Sequence, residues 1–423
     1  MLRLALSSIA SLFLVPFSHD YYAPSPPGYI PGLHSHCSLI PPIAKPEFDA
    51  RQAALATALY NLNASAYITE PSANSQYYAN FSSINWKLSE RPLLLIIRPR
   101  SISDSQIEPD VALLTPKFET LRASGLPVVP FKDSQTRYIQ WAEEANPYAS
   151  ALAGLGISSD SEETLYVDNK IRKFIVDGLQ QAGPKLRIAS APLEITSLRE
   201  RKSPAELEIL KCANEATVLA IRDVHLQLSA GLRESEVSIM LSSALGKAGL
   251  SNAGCLTLFG ANAALPHGSG TDRVLGRDDF ALFDCGGSLH GYVSDVTRTV
   301  ALPDARLPNG HLHIWYAVKG AQAAALGAAK AGVLTRKPDE AARAFLQALG
   351  LKDYFTHRLG HALFARGSND VMLTGHTFSN EPGVYIENKV GVRIEDCFYV
   401  DDAGNPRYLT ERVGGPSETP WAP

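Results

Sequence analysis

Four acidic residues sit in runs where a strand-forming chain rarely tolerates a lone charge. In "ALFDCGGSLHGYVSDVTRTVAL", Asp284 ends an apolar run, Asp295 stands in a second, β-branched run, and a glycine-containing turn separates them, which predicts a hairpin. Alternation puts Asp295 on one face with Val293, Thr297 and Thr299. In "TFSNEPGVYIENKVGVRIEDCFYV", Glu381 precedes turn-making Pro382 and Gly383, and alternation aligns Arg393, Glu395, Cys397 and Tyr399 opposite Val392, Ile394 and Phe398. Either face could be the buried one. Any one of these acids alone reads as an exposed strand residue or half of an arginine pair; four together call for compensation by something more strongly charged.

Several carboxylates joined by one imidazole suit divalent manganese, cobalt or zinc, and bridging carboxylates can hold two ions a few ångströms apart. The imidazoles are offered by "FTHRLGHALF", where His357 and His361 stand four positions apart, on one face of a helix or in a loop.

Taken in order, "FDCGG…GYVSDVTRT", "HRLGH", "SNEPG" and "GVRIEDC" resemble the pita-bread metallopeptidases: aminopeptidase P, prolidase and, more distantly, methionine aminopeptidase. The eleven positions between Asp284 and Asp295 match the family's spacing, and "KSPAELEIL" is similar to the opening of its catalytic domain. The resemblance implies an α/β (α+β) protein in which a creatinase-type N-terminal α/β domain, residues 48–193, precedes a pita-bread catalytic domain, residues 194–423. It implies two divalent metal ions, manganese with zinc or cobalt as alternatives. Asp284 would ligate one ion, Asp295 and Glu395 would bridge both, and His361 and Glu381 would complete the shells, Glu381 also acting as general base toward a bridging water. "GANAALPHGSG" resembles the segment that places a histidine near the substrate, His267; His357 matches a catalytic position beside the ligands and Arg393 a substrate-side one.

The implied reaction is hydrolysis of the bond adjacent to proline in short peptides, as an Xaa-Pro aminopeptidase or Xaa-Pro dipeptidase, in a chain that could form a homodimer. One part of the family pattern is missing. Members normally carry a glycine-rich turn and a second histidine between the "HRLGH" and Glu-Pro-Gly segments, whereas here His361 and Glu381 are 20 positions apart with no such stretch between them. A weakened or inactive metal-binding paralogue, or an amide hydrolase of a biosynthetic pathway, are therefore the alternatives.

The rest of the chain fits an extracytoplasmic protein of two cores. At 423 residues, 45% hydrophobic, it exceeds what one ordinary core serves. Lys and Arg number 39 against 43 Asp and Glu, with no basic run, which argues against a nucleic-acid or anionic-membrane surface. Residues 1–19 read as a secretory signal or short anchor, the apolar stretch Leu4 to Phe17 being short for a bilayer span, and residues 20–47 as a Pro-rich linker. Sequons at Asn63 and Asn80 fit a secreted glycoprotein.

Five scattered cysteines predict buried thiols rather than a disulfide framework. Helices are expected over "FDARQAALATALYNLN" and "IRKFIVDGLQQAG", and strands over "AYIT", "PLLLIIRP", "LPVVPF", "TLYVD" and "KLRIAS". In "KSPAELEIL", Ser203 as N-cap, Pro204 at the first helical position and Glu206 as capping-box partner predict the start of a long helix.

Overall fold

Runs of apolar residues at alternating strand positions build the first layer. In this computed structural model, which describes residues 33–103, 106–361 and 368–423, helix α1 (Lys45–Asn61) leads into β1 (Ala64–Thr69), α2 (Ala73–Ala79), β2 (Leu94–Ser103) and β3 (Gln106–Pro116). There follow α3 (Thr120–Ser124), β4 (Arg137–Trp141), α4 (Pro147–Leu155), β5 (Thr164–Val167), α5 (Lys173–Ala182), β6 (Arg187–Ser190) and α6 (Leu193–Thr196). The strands form one mixed sheet, ordered β4-β3-β2-β1-β5-β6, with β1 antiparallel to β2 and parallel to β5. Leu95, Ile97 and Leu113 on one face pack with Leu55 and Leu59 of α1. Ile96 and Leu114 on the other face pack with Leu152 of α4 and Leu179 of α5.

Two expectations for this half need correction. "LPVVPF" forms no strand, because Pro127 and Pro130 lack the N–H donors a ladder needs. Instead β3, which the apolar pattern does not mark, pairs along β2 with Pro109 opposite Pro99.

Ser203 opens the second half as its sequence predicts. Its hydroxyl accepts the Glu206 N–H at 3.1 Å and Glu206 returns to the Ser203 N–H at 2.9 Å, starting α7 (Pro204–His225). After it come α8 (Glu234–Lys247), β7 (Ser251–Phe259), β8 (Ala281–Leu289), β9 (Tyr292–Val293), β10 (Val296–Val300), α9 (Asn309–Ala328) and α10 (Arg336–Ala348). Strands β11 (Thr377–Asn380), β12 (Gly383–Ile386), β13 (Val390–Arg393), β14 (Asp396–Val400) and β15 (Pro406–Tyr408) complete the chain.

Helices α7 and α8 cover the β10-β8-β7 sheet around Phe283, Val296 and Val300. Helices α9 and α10 cover the strands β11 to β14 around Trp315, Val392 and Phe398. Two helix-backed layers, one of β10-β8-β7 and one of β11 to β14, thus carry the acidic strands, in a mixed α/β protein of the kind the resemblance implies.

The cysteines also depart from the sequence reading. Cys37 is bonded to Cys212 on α7, and Cys255 on β7 to Cys285 directly opposite on β8, leaving Cys397 as the free thiol. Pairs 175 and 30 residues apart leave no spacing signal in the sequence. The described part of the Pro-rich stretch is consequently more than a connector. Leu33 and Cys37 are buried in the core under α7 and α8, Ile40 and Ile43 pack against it, and His36 pairs with Glu215 at 2.8 Å. The apolar leader lies outside the described residues. No helix among the described residues is long and apolar enough to cross a membrane.

Candidate metal centre

Asp284 points from the middle of β8, flanked by Thr297 of β10 and Leu256 of β7. Asp295 falls between β9 and β10, a break in the expected hairpin strand, where its N–H is held by the buried Asn214 of α7 at 3.2 Å and its neighbour Ser294 by Thr217 at 2.7 Å. Glu395 occupies a similar break between β13 and β14. Its N–H reaches Thr297 O at 3.0 Å, its carbonyl accepts from Arg298 at 2.7 Å, and its Oε2 accepts the Thr297 hydroxyl at 2.8 Å. These links bring carboxylate oxygens of Asp284, Asp295 and Glu395 within 4.8 Å of one another.

His361 and Glu381 close the ring. The "HRLGH" segment is a loop, and His361 Nε2 stands 3.7 Å from both Asp295 Oδ2 and Glu381 Oε1, a separation suited to donors surrounding a common centre. The loop can approach because position 360 is glycine: a Cβ there would lie 2.0 Å from the Ser379 carbonyl oxygen.

Electrostatics and unmet bonding both point to a cation. Burial, then the charges of Asp284 and Glu381, pushes Asp295 up to about 7. Burial raises Glu381 to about 7 as well, against the Ser379 hydrogen bond and the Arg393 charge. Glu395 is driven well above the carboxylate range by burial and by Asp295. Its Oε1 is buried without a hydrogen-bond partner. An orphaned carboxylate oxygen inside an oxygen-rich ring with one imidazole fits one or two divalent metal ions.

The softer sequence candidates occupy distinct positions. Arg393 is buried and bonds Asp284 Oδ2 at 2.7 Å, Thr297 Oγ1 at 3.2 Å and Tyr385 Oη at 3.0 Å, so its fork is committed within the protein. His357 has both ring nitrogens engaged: Nδ1 donates to Arg358 O at 2.7 Å and Nε2 accepts from the Tyr385 hydroxyl at 2.8 Å. Burial, chiefly, lowers its pKa to about 4, which keeps it neutral. His267 is exposed, close enough for its charge to act on His357 and His361, and the preceding Pro266 carbonyl accepts from Arg393 at 3.4 Å. His376 is buried away from this ring, its Nδ1 accepting from Leu373 N at 3.4 Å.

Sequence reasoning missed the supports. Arg298 and Asp396 form a fully buried pair at 2.8 Å, steadied by Thr410, directly behind Glu395. An arginine within "VTRTV" was the available signal, since a buried guanidinium requires a buried partner.

Residues 208–402 match metallopeptidase family M24. An uncharacterized peptidase of Schizosaccharomyces pombe is 36% identical over 391 residues, spanning 88% of this chain and 83% of that protein. The chain belongs to metallopeptidase family M24. The M24 chain is also 30% identical over 263 residues to an Xaa-Pro dipeptidase of Pyrococcus furiosus, covering 59% of this chain and 75% of the relative. The structure of dipeptidase PepE from Mycobacterium ulcerans superposes with a TM-score of 0.76 at 25% identity, over 87% of this chain and 97% of that one. A prolidase structure from Thermococcus sibiricus shares the fold, with a TM-score of 0.74 over 86% of this chain and 96% of that one, at 22% identity.

Proposed function

We propose that this M24 protein is a two-metal peptidase that cleaves the bond beside proline in short peptides, as an Xaa-Pro dipeptidase or aminopeptidase. The observation that carries the reading is the convergence of the Asp284, Asp295 and Glu395 carboxylates, Glu395 keeping a buried, unpartnered Oε1, with His361 and Glu381 beside them. The likeness to proteins named as dipeptidases and Xaa-Pro dipeptidase supports the substrate class.

Asp284 would hold one ion, Asp295 and Glu395 both, and His361 and Glu381 would complete the set. When bound, such ions lower the pKa of water and polarise a scissile carbonyl. Manganese is the proposed metal, with zinc and cobalt as alternatives. Glu381, whose Oε1 already accepts the Ser379 hydroxyl at 3.0 Å, receives the nucleophile's proton on its remaining lone pairs. Arg393 keeps Asp284 oriented, and the Arg393–Tyr385–His357 chain stiffens the wall on that side. His267, at the exposed rim, contacts substrate.

The two disulfides and the sequence leader support export to an oxidising compartment. The protein would act as a homodimer.

Manganese-dependent cleavage of an Xaa-Pro dipeptide and an Xaa-Pro-Yaa tripeptide, followed by mass spectrometry with Glu381→Ala as the blank, tests the reading. Cleavage abolished in the blank is expected, and the preferred length separates dipeptidase from aminopeptidase. Metal uptake without cleavage would favour the second reading, a metal-binding paralogue, which the absent histidine between His361 and Glu381 motivates.

A further inference from the structure

Ser379 touches both His361 and Glu381. It lies on β11, almost completely buried, paired across the sheet with Cys397. Its Oγ accepts the His361 N–H at 2.7 Å and donates to Glu381 Oε1 at 3.0 Å. One hydroxyl therefore spends its proton on one candidate ligand and a lone pair on the backbone of another.

The way the loop docks makes that hydroxyl hard to replace. Segment 359–361 lies along β11 as a single antiparallel rung: Glu381 N–H reaches Leu359 O at 2.9 Å. The second bond of such a rung would ordinarily join His361 N–H to the Ser379 carbonyl. Here it goes to the Ser379 side chain instead. Gly360, opposite Asn380, allows the contact, since any side chain would collide with Ser379. The loop's register at His361 thus depends on a side-chain oxygen rather than on the backbone.

We propose that Ser379 is the positioning residue of the metal centre. Its hydroxyl fixes His361 and Glu381 relative to each other, and so sets the affinity of the subsite these two share with Asp295, leaving the Asp284 side unaffected. The inference rests on the two-metal reading given above.

Calorimetric titration of the full chain with manganese alone tests it, on the unsubstituted protein, Ser379→Ala and Ser379→Thr, with metal-free melting curves alongside. The expected result is two equivalents bound by the unsubstituted protein. Ser379→Ala should weaken one of them by about 10–100-fold and spare the other. Ser379→Thr, which keeps the hydroxyl, should recover most of the loss. Two unchanged affinities in Ser379→Ala, or an equal loss at both, would overturn the inference while leaving the two-metal reading intact. No manganese uptake by the unsubstituted protein would remove that reading and the inference with it. Should Ser379→Ala not fold, Gly360→Ala moves the loop with the hydroxyl retained; it should weaken the same equivalent, and unchanged binding would count against the proposal.

Discussion

Glu395 is anchored at every atom but one: N–H, carbonyl and Oε2 have partners, and the buried Oε1 has none. Replacing it by Gln fixes the uncharged form that burial favours. Metal-free Glu395→Gln should therefore melt no lower than the unsubstituted protein, while its manganese content and peptidase activity fall by at least about 100-fold. Melting curves and metal analysis check this, and a destabilised variant that retains metal would contradict it. A second residue-level expectation concerns the two sequons. Asn63 is exposed at a turn with φ 51°, whereas Asn80 is half-buried, its amide donating to Pro127 O at 3.3 Å and its oxygen accepting from Gln76 at 3.0 Å. After passage through a eukaryotic secretory pathway, peptide mapping should find a glycan at Asn63 and none at Asn80. The acids were legible in the sequence because a charge in an apolar run needs compensation somewhere. Ser379 was not, since its meaning resides in a partner 18 residues away; His357 was picked out by the resemblance, but its Tyr385 partner 28 residues on was not.

Among the elements, the segment from Leu33 to Ile43 acts as a strap across α7, fastened by Cys37–Cys212 and by His36 on Glu215. Substituting both cysteines by serine should cost about 2–4 kcal/mol, read from denaturant unfolding, and expose the strap to limited proteolysis. Unaltered stability would mean that the packing of Leu33, Ile40 and Ile43 and the His36–Glu215 pair suffice without the bond. The start of helix α7 was readable to the residue, because its capping box is local chemistry spelled out in "KSPAE". Strand β3 was not, because prolines and acids interrupt its pattern and its strand state comes from pairing along β2 and β4. The break at Asp295 was equally hidden: alternation assumes an unbroken strand, whereas Asn214 and Thr217 of α7 set the local path.

For the molecule as a whole, a bound cation would compete with protons for one acidic ring. Asp295 and Glu381 lie near 7 in the metal-free fold, above their ordinary values, so their contribution to stability is present at low pH and is lost as pH rises through about 7. The melting temperature gained on adding manganese should then be larger at about pH 7.5 than at about pH 5, by scanning fluorimetry. A gain that shrinks with rising pH would contradict the assignment. The strap has a topological consequence as well. Among the described residues, the chain packs on the α7 core from Leu33, leaves to build the six-stranded sheet, and returns at Ser203. The six-stranded sheet is therefore inserted between two stretches of chain that share one core. A chain begun at residue 194 would lose Leu33, leave Cys212 without its partner and open the face of α7, so no single cut yields an intact catalytic domain.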